Sequence, residues 1–111
     1  ATPVAIGVLS NDVRIEGLSI QNGRAEGVRA IADGLTLNKV SIRGPAGDCV
    51  LVIGGGAQIT ASLLRGCGDR AVDITGNDAV LVKNDISFCD NRCVDLEGDR
   101  ARVEGNTVQM S

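Results

Sequence analysis

Written in rows of 22 residues, the chain brings its apolar positions into five vertical columns without a gap. The first column reads Ile6, Val28, Val50, Val72, Val94; two residues on, the second reads Val8, Ala30, Val52, Ile74, Leu96. Further along come Val13, Leu35, Ala57, Ala79, Ala101, then Ile15, Leu37, Ile59, Leu81, Val103, and finally Ile20, Ile42, Leu64, Ile86, Val108. All 25 positions are apolar in a chain that is 43% apolar, a coincidence of roughly one in 10³ to 10⁵ after allowing for the choice of period and columns. Within a row the inward positions fall two apart in three clusters, as in Val72/Ile74, Ala79/Leu81 and Asn84/Ile86/Phe88. A period of two is strand alternation, with one side of each short strand facing a core. Turn residues separate the clusters: Gly54-Gly55-Gly56, Gly76-Asn77-Asp78 and Gly98-Asp99-Arg100. No stretch keeps a helical period over ten or more residues, so each row predicts one triangular coil of three strands. A single coil cannot bury its inner face, whereas stacked coils fuse the columns into continuous apolar ladders.

Composition sharpens this picture. The chain has no His, Trp or Tyr, Phe88 is its one aromatic residue, and 15 glycines punctuate it. A compact globule of 111 residues normally anchors its core on several aromatics. A formal charge of −3 argues against nucleic acid as a partner. No apolar run reaches the ~18 residues of a transmembrane helix, so no membrane partner is expected.

The rows resemble the parallel β-helix repeats of pectate lyases, polygalacturonases, mannuronan epimerases and periplasmic copper-processing β-helix proteins. The carrying residues are Asn84-Asp85-Ile86 and Asn106-Thr107-Val108, each an Asn-x-[Ile/Val] unit followed by a polar turn. The segment Asp12-Val13-Arg14-Ile15-Glu16-Gly17-Leu18-Ser19-Ile20 is similar to the opening coil of such repeats. The expected fold is therefore all-β: a right-handed, single-stranded parallel β-helix of about five 22-residue coils, three short strands per coil. Residues 1–111 form a single β-helix domain in this reading, a fragment or uncapped module. The resemblance also implies a secreted or periplasmic setting.

Four groups of residues carry the chemistry. Asn84 and Asn106 share a column one coil apart, where stacked amides can hydrogen-bond each other and the turn backbone. The cysteines also obey the columns: Cys49 and Cys93 lie in one, Cys67 and Cys89 are neighbours in another. Packed free thiols, a Cys67–Cys89 disulfide, a Cys89–Cys93 bridge and a four-thiolate zinc site all remain open, although only Cys89 and Cys93 have ligand-like spacing. Arg70, Asp73, Arg92 and Asp95 alternate in charge on the first strand and the turn before it. In the families this chain resembles, sugar polymers lie along that strand, so these four residues are candidates for binding an acidic polysaccharide. The alternative is a solvated face of cross-coil ion pairs.

Catalysis is not expected. The resemblance implies a Tyr and a His for epimerases, and Asp pairs with Gly-His-Gly for polygalacturonases; the sequence has neither Tyr nor His. Pectate lyases need a calcium-binding carboxylate cluster and an arginine base on long loops, for which the gap-free register has no room. Two carboxylates, Asp73 and Asp95, make a weak calcium site, so no metal and no cofactor are expected. The readings left are a non-catalytic structural or interaction module and, as the alternative, a polysaccharide-binding segment of a carbohydrate-active protein. The absence of a capping helix predicts end-to-end homo-oligomers, with Asn106, Val108 and Met110 at one open end and Ile6 and Val8 at the other.

Overall fold

A computed structural model describes residues 6–21, 26–90 and 92–109. Among the described residues, fifteen strands of three or four residues alternate among three parallel five-stranded sheets. Sheet A stacks β1 (Ile6–Val8), β4 (Val28–Ile31), β7 (Val50–Ile53), β10 (Val72–Thr75) and β13 (Val94–Glu97). Sheet B stacks β2 (Arg14–Glu16), β5 (Thr36–Asn38), β8 (Gln58–Thr60), β11 (Val80–Val82) and β14 (Arg102–Glu104). Sheet C stacks β3 (Ser19–Gln21), β6 (Ser41–Arg43), β9 (Leu63–Arg65), β12 (Asp85–Ser87) and β15 (Thr107–Gln109). The molecule is a parallel β-solenoid with three strands per coil, and about four full turns separate its first strand from its last.

Every strand pairs with the strand one row away, in the register the columns require. Val72 lies against Val50 and Val94, Leu81 against Ile59 and Val103, and Ile86 against Leu64 and Val108. A slip of one residue would turn each apolar column to solvent, so the alternation itself fixes the register. The ladders fill the prism: Val50, Val52, Leu37, Ile59, Leu81, Ile42, Leu64 and Ile86 are all fully buried. Each such side chain removed from water contributes about 1.5–3 kcal/mol. The core therefore needs no aromatic anchor, because aliphatic stacks at one strand spacing already pack densely.

The corners are as periodic as the strands. After sheet A, Asp12, Gly34, Gly56, Asp78 and Arg100 share a left-handed backbone with φ from 61° to 72°. After sheet B, Gly17, Lys39, Ala61, Lys83 and Gly105 do the same at 49° to 67°, and after sheet C so do Gly44, Gly66 and Phe88 at 56° to 68°. A left-handed residue at each of these corners bends the chain onto its next face. Glycine serves a second purpose at Gly76, where an added Cβ would lie 2.0 Å from the carbonyl oxygen of Gly54 in the coil below. Phe88 departs from the expected inward cluster. The left-handed turn swings its ring outward, where it is 45% exposed and holds the Arg65 guanidinium 4.8 Å from its centroid.

The cysteines correct the pairing expected from the column. Cys67 is bonded to Cys49 and not to Cys89, and Cys89 is bonded to Cys93, so none is a free thiol or available as a zinc ligand. Side chains stacked in one column point the same way, which does not bring two sulfur atoms face to face. Cys49 and Cys67 instead sit on opposite sides of the C-to-A corner in adjacent coils, with Cα atoms 5.4 Å apart, so the bond runs diagonally across the stack. Cys89–Cys93 closes the corner of a single coil, with Cα atoms 5.2 Å apart. Both distances lie within the usual span of a disulfide.

Candidate functional site

The charged residues singled out by sequence meet where the C-to-A corner enters sheet A. Asp73 and Asp95 project outward from β10 and β13 in direct register. Arg70, in the corner before β10, reaches over both. Its Nη1 donates to Asp73 Oδ2 at 3.2 Å, and its Nε lies 3.1 Å from Asp95 Oδ2 without hydrogen-bond alignment. The same guanidinium is 4.0 Å from Asp69. Arg92, one coil on, sits 3.8 Å from Asp95, with a side chain 71% exposed against 29% for Arg70.

A further carboxylate, not anticipated from the sequence, lies beneath this group. Asp48 is buried, and its Oδ1 accepts the backbone N–H of Arg70 at 2.9 Å. Burial pushes its carboxyl above the usual range; the Arg70 N–H opposes this, and the charges of Asp69 and Asp73 reinforce it. Burial likewise raises Asp73, against the pull of Arg70 and with help from Asp95 and Glu97. For Arg70 itself, burial disfavours the cation but is outweighed by Asp73, Asp69, Asp95 and Asp48, so its pKa rises further. Four carboxylates thus lie around Arg70, whose guanidinium ion-pairs with Asp69, Asp73 and Asp95, while Arg92 reaches Asp95. Among the described residues, no group of three or more Cys, Asp or Glu side chains is arranged to hold a metal ion.

Asn84 and Asn106 are brought together on the opposite side of the prism, at the B-to-C corner. Asn84 Oδ1 accepts the Ser62 N–H at 3.0 Å, and Asn106 Oδ1 accepts the Asn84 N–H at 2.9 Å. Their amide groups donate inward, Asn84 Nδ2 to the Ile59 carbonyl and Asn106 Nδ2 to that of Leu81, each at 2.9 Å. Ser62 extends the ladder one coil down by accepting the Val40 N–H at 3.2 Å. A second set of side-chain caps, invisible to the apolar columns, lines the A-to-B corner. Asn11, Asp33 and Asn77 each accept the backbone N–H of the residue one coil above, at 2.9 Å. These groups satisfy backbone donors of the neighbouring coil.

The outer face of sheet A holds what the inward columns conceal. Leu9, Ile31 and Ile53 stack in one outward column and are 81%, 45% and 48% exposed. Between the first two coils Gly7, Leu9, Arg29 and Ile31 line an open concavity of about 380 Å³. The column turns polar at Thr75 and Glu97, and its neighbour turns from Arg29 and Leu51 to Asp73 and Asp95. Reading outward positions by the same 22-residue rule would have found this gradient.

No protein-family model matches the chain, and no curated protein matches its sequence.

Proposed function

We propose that this chain is a non-catalytic β-solenoid module with a structural or interaction role, assembled head to tail through the ends of its coil stack. The supporting observation is a contrast within single ladders. Leu81 and Ile86 are fully buried, whereas Val103 and Val108, one coil above them, are 51% and 46% exposed. The strands that carry them, β14 and β15, also border the sheets. An exposed sheet edge above an open apolar core favours the addition of another coil. A second copy in phase would set its Ile15 over Val103 and its Ile20 over Val108, continuing both ladders. Of the residues expected at the ends, Val8 is buried and Met110 lies outside the described residues. The module winds right-handed in this proposal, as parallel crossovers nearly always do. Its kinship is with the polysaccharide-processing β-helices, and its two disulfides suit a secreted or periplasmic compartment.

Light scattering over about a hundredfold dilution tests this, because mass action dissolves a weak assembly. Wild-type protein is expected to grow in mass with concentration, and Val108→Asp to remain small. A Val108→Asp protein that assembles like wild type would refute the proposal.

The second reading, a polysaccharide-binding segment, rests on the exposed guanidinium of Arg92. Four carboxylates around Arg70 oppose an acidic polymer at that place. The expected calorimetric outcome is no heat with alginate or polygalacturonate; heat abolished by Arg92→Ala would promote this reading above the first.

A further inference from the structure

The end-to-end contact leaves the aliphatic column on the outer face of sheet A unexplained. Ile31 and Ile53 belong to neither core nor coil end, and with Leu9 of the first coil each exposes a large apolar side chain on the same face, beside half-buried Leu51. Outward positions of a solvated sheet are ordinarily polar, and the last two coils of this face obey that rule with Asp73, Thr75, Asp95 and Glu97. A contiguous apolar patch bounded by charge marks a contact surface.

From the order of charges along this face, we infer that its occupant is a second copy of the chain, packed face to face with the two solenoid axes antiparallel. Rung by rung, the face reads Gly7 and Leu9, Arg29 and Ile31, Leu51 and Ile53, Asp73 and Thr75, Asp95 and Glu97. Its cation lies on the second rung and its carboxylates on the fourth and fifth. With the axes parallel, the acidic rungs of the two copies would confront each other, and the repulsion of Asp95 and Glu97 would be doubled. With the axes antiparallel about a twofold through the third rung, Leu51 and Ile53 meet their own counterparts. Arg29 of each copy then faces Asp73 of the other. Among the described residues no ion pair engages Arg29, so its guanidinium is available. Such a contact is isologous and closes on itself, so it yields a dimer and not a fibre.

The size of the face sets the strength. Five strands at about 4.8 Å by four residues at about 3.3 Å give a footprint of about 320 Å². That is well short of the ~800 Å² per partner of a stable complex. The dimer is therefore weak, and the measurement belongs at the upper end of accessible concentration.

Sedimentation velocity between about 10 µM and 1 mM is the test, carried out in the Val108→Asp background so that end contacts are absent. The expected result is a monomer–dimer equilibrium that Ile31→Glu plus Ile53→Glu abolishes. Arg29→Glu and Asp73→Lys should each weaken the dimer, since each places like charges across the twofold. An equimolar mixture of those two variants should dimerise again. In the mixed dimer the carboxylate introduced at position 29 of one chain meets the ammonium introduced at position 73 of the other, and the unaltered Asp73 of the first meets the unaltered Arg29 of the second. Circular dichroism melts confirm that each variant is folded, and a variant that unfolds is replaced by Ile53→Thr or Arg29→Gln, read on the same equilibrium. A protein that stays monomeric throughout this range, up to about 1 mM, would overturn the inference. So would a dimer indifferent to Ile31 and Ile53, or a mixture no better than its components. None of these outcomes bears on the head-to-tail proposal, which Val108 alone reports.

Discussion

Truncating Asn84 to alanine should be among the most damaging single changes to this fold that removes no apolar surface. The residue is 2% exposed and makes three side-chain hydrogen bonds. It accepts from the Ser62 N–H at 3.0 Å and donates to the Ile59 carbonyl at 2.9 Å and to Asn106 Oδ1 at 3.0 Å. A net contribution near 1 kcal/mol for each bond gives about 3 kcal/mol. The buried Ser62 N–H, left without a partner in a site that alanine cannot fill, holds the loss at or above that figure. Against a typical total of about 5–15 kcal/mol this is a large fraction, and for a domain of this size it lowers the melting temperature by on the order of 15 °C. Urea titration of the oxidised protein, followed by far-ultraviolet circular dichroism, measures it directly. Asn84→Ser is the informative companion, since Ser62 shows that a hydroxyl in this column can still accept a backbone N–H. It should recover about a third of the loss. If Asn84→Ala costs less than about 1 kcal/mol, the buried ladder does not support the corner in the way its geometry indicates.

Three other outcomes are expected. Gly76→Ala should cost about 3 kcal/mol or more, since its Cβ meets a backbone oxygen at 2.0 Å, whereas Gly55→Ala, whose nearest neighbour is 3.5 Å away, should be nearly neutral; thermal melts separate them. Replacing Cys49 and Cys67 together by alanine opens a loop of 18 residues and should lower stability by about 3 kcal/mol, read from denaturant midpoints. Burial raises the carboxyls of Asp48 and Asp73 above their unfolded value near 3.8, so the folded state binds protons more readily there than the unfolded chain does. These two groups therefore add stability as pH falls through their folded-state pKa toward 3.8, whereas Asp78, lowered by its hydrogen bond from Arg100, gives up its share only below 3.8. Asp48→Asn keeps an acceptor for the Arg70 N–H and should raise stability at neutral pH while flattening that acid-side gain, measured by melts from neutral to acidic pH.

The architecture was legible because a solenoid repeats its reasons. Each inward position recurs at one interval, so even Ala57 and Ala79, uninformative alone, are placed by Leu35 in their column. What escaped belongs to the corners and the outside. Lys39, Lys83 and Arg100 have no residue-type preference that announces a left-handed backbone; their conformation is legible only through the glycines that share their columns. Phe88 was misplaced for the same reason, since alternation was carried one residue past the end of β12 into a turn that Gly44 and Gly66 had already marked. The Cys49–Cys67 bond escaped because it is diagonal, whereas column reasoning sees only vertical neighbours. Arg70 and Asp73 were found, but whether a charged ladder faces a ligand or its own counterions depends on side-chain reach. Asp48, the buried anion beneath them, shares its column with Glu26, Arg70 and Arg92, and nothing in that mixture signals burial.

The diagonal disulfide has a mechanical consequence. A solenoid pulled from its two ends surrenders its coils one at a time, each releasing 22 residues, or about 75 Å of contour at full extension. The bond between Cys49 and Cys67 spans 18 residues, so roughly 60 Å of that length can never be drawn out while it is intact. The coil it encloses becomes a fixed link under load, with peeling segments on either side. Reduction would restore the missing extension as one additional step, turning a chemical bond into a gauge that a force-extension trace reads in ångströms.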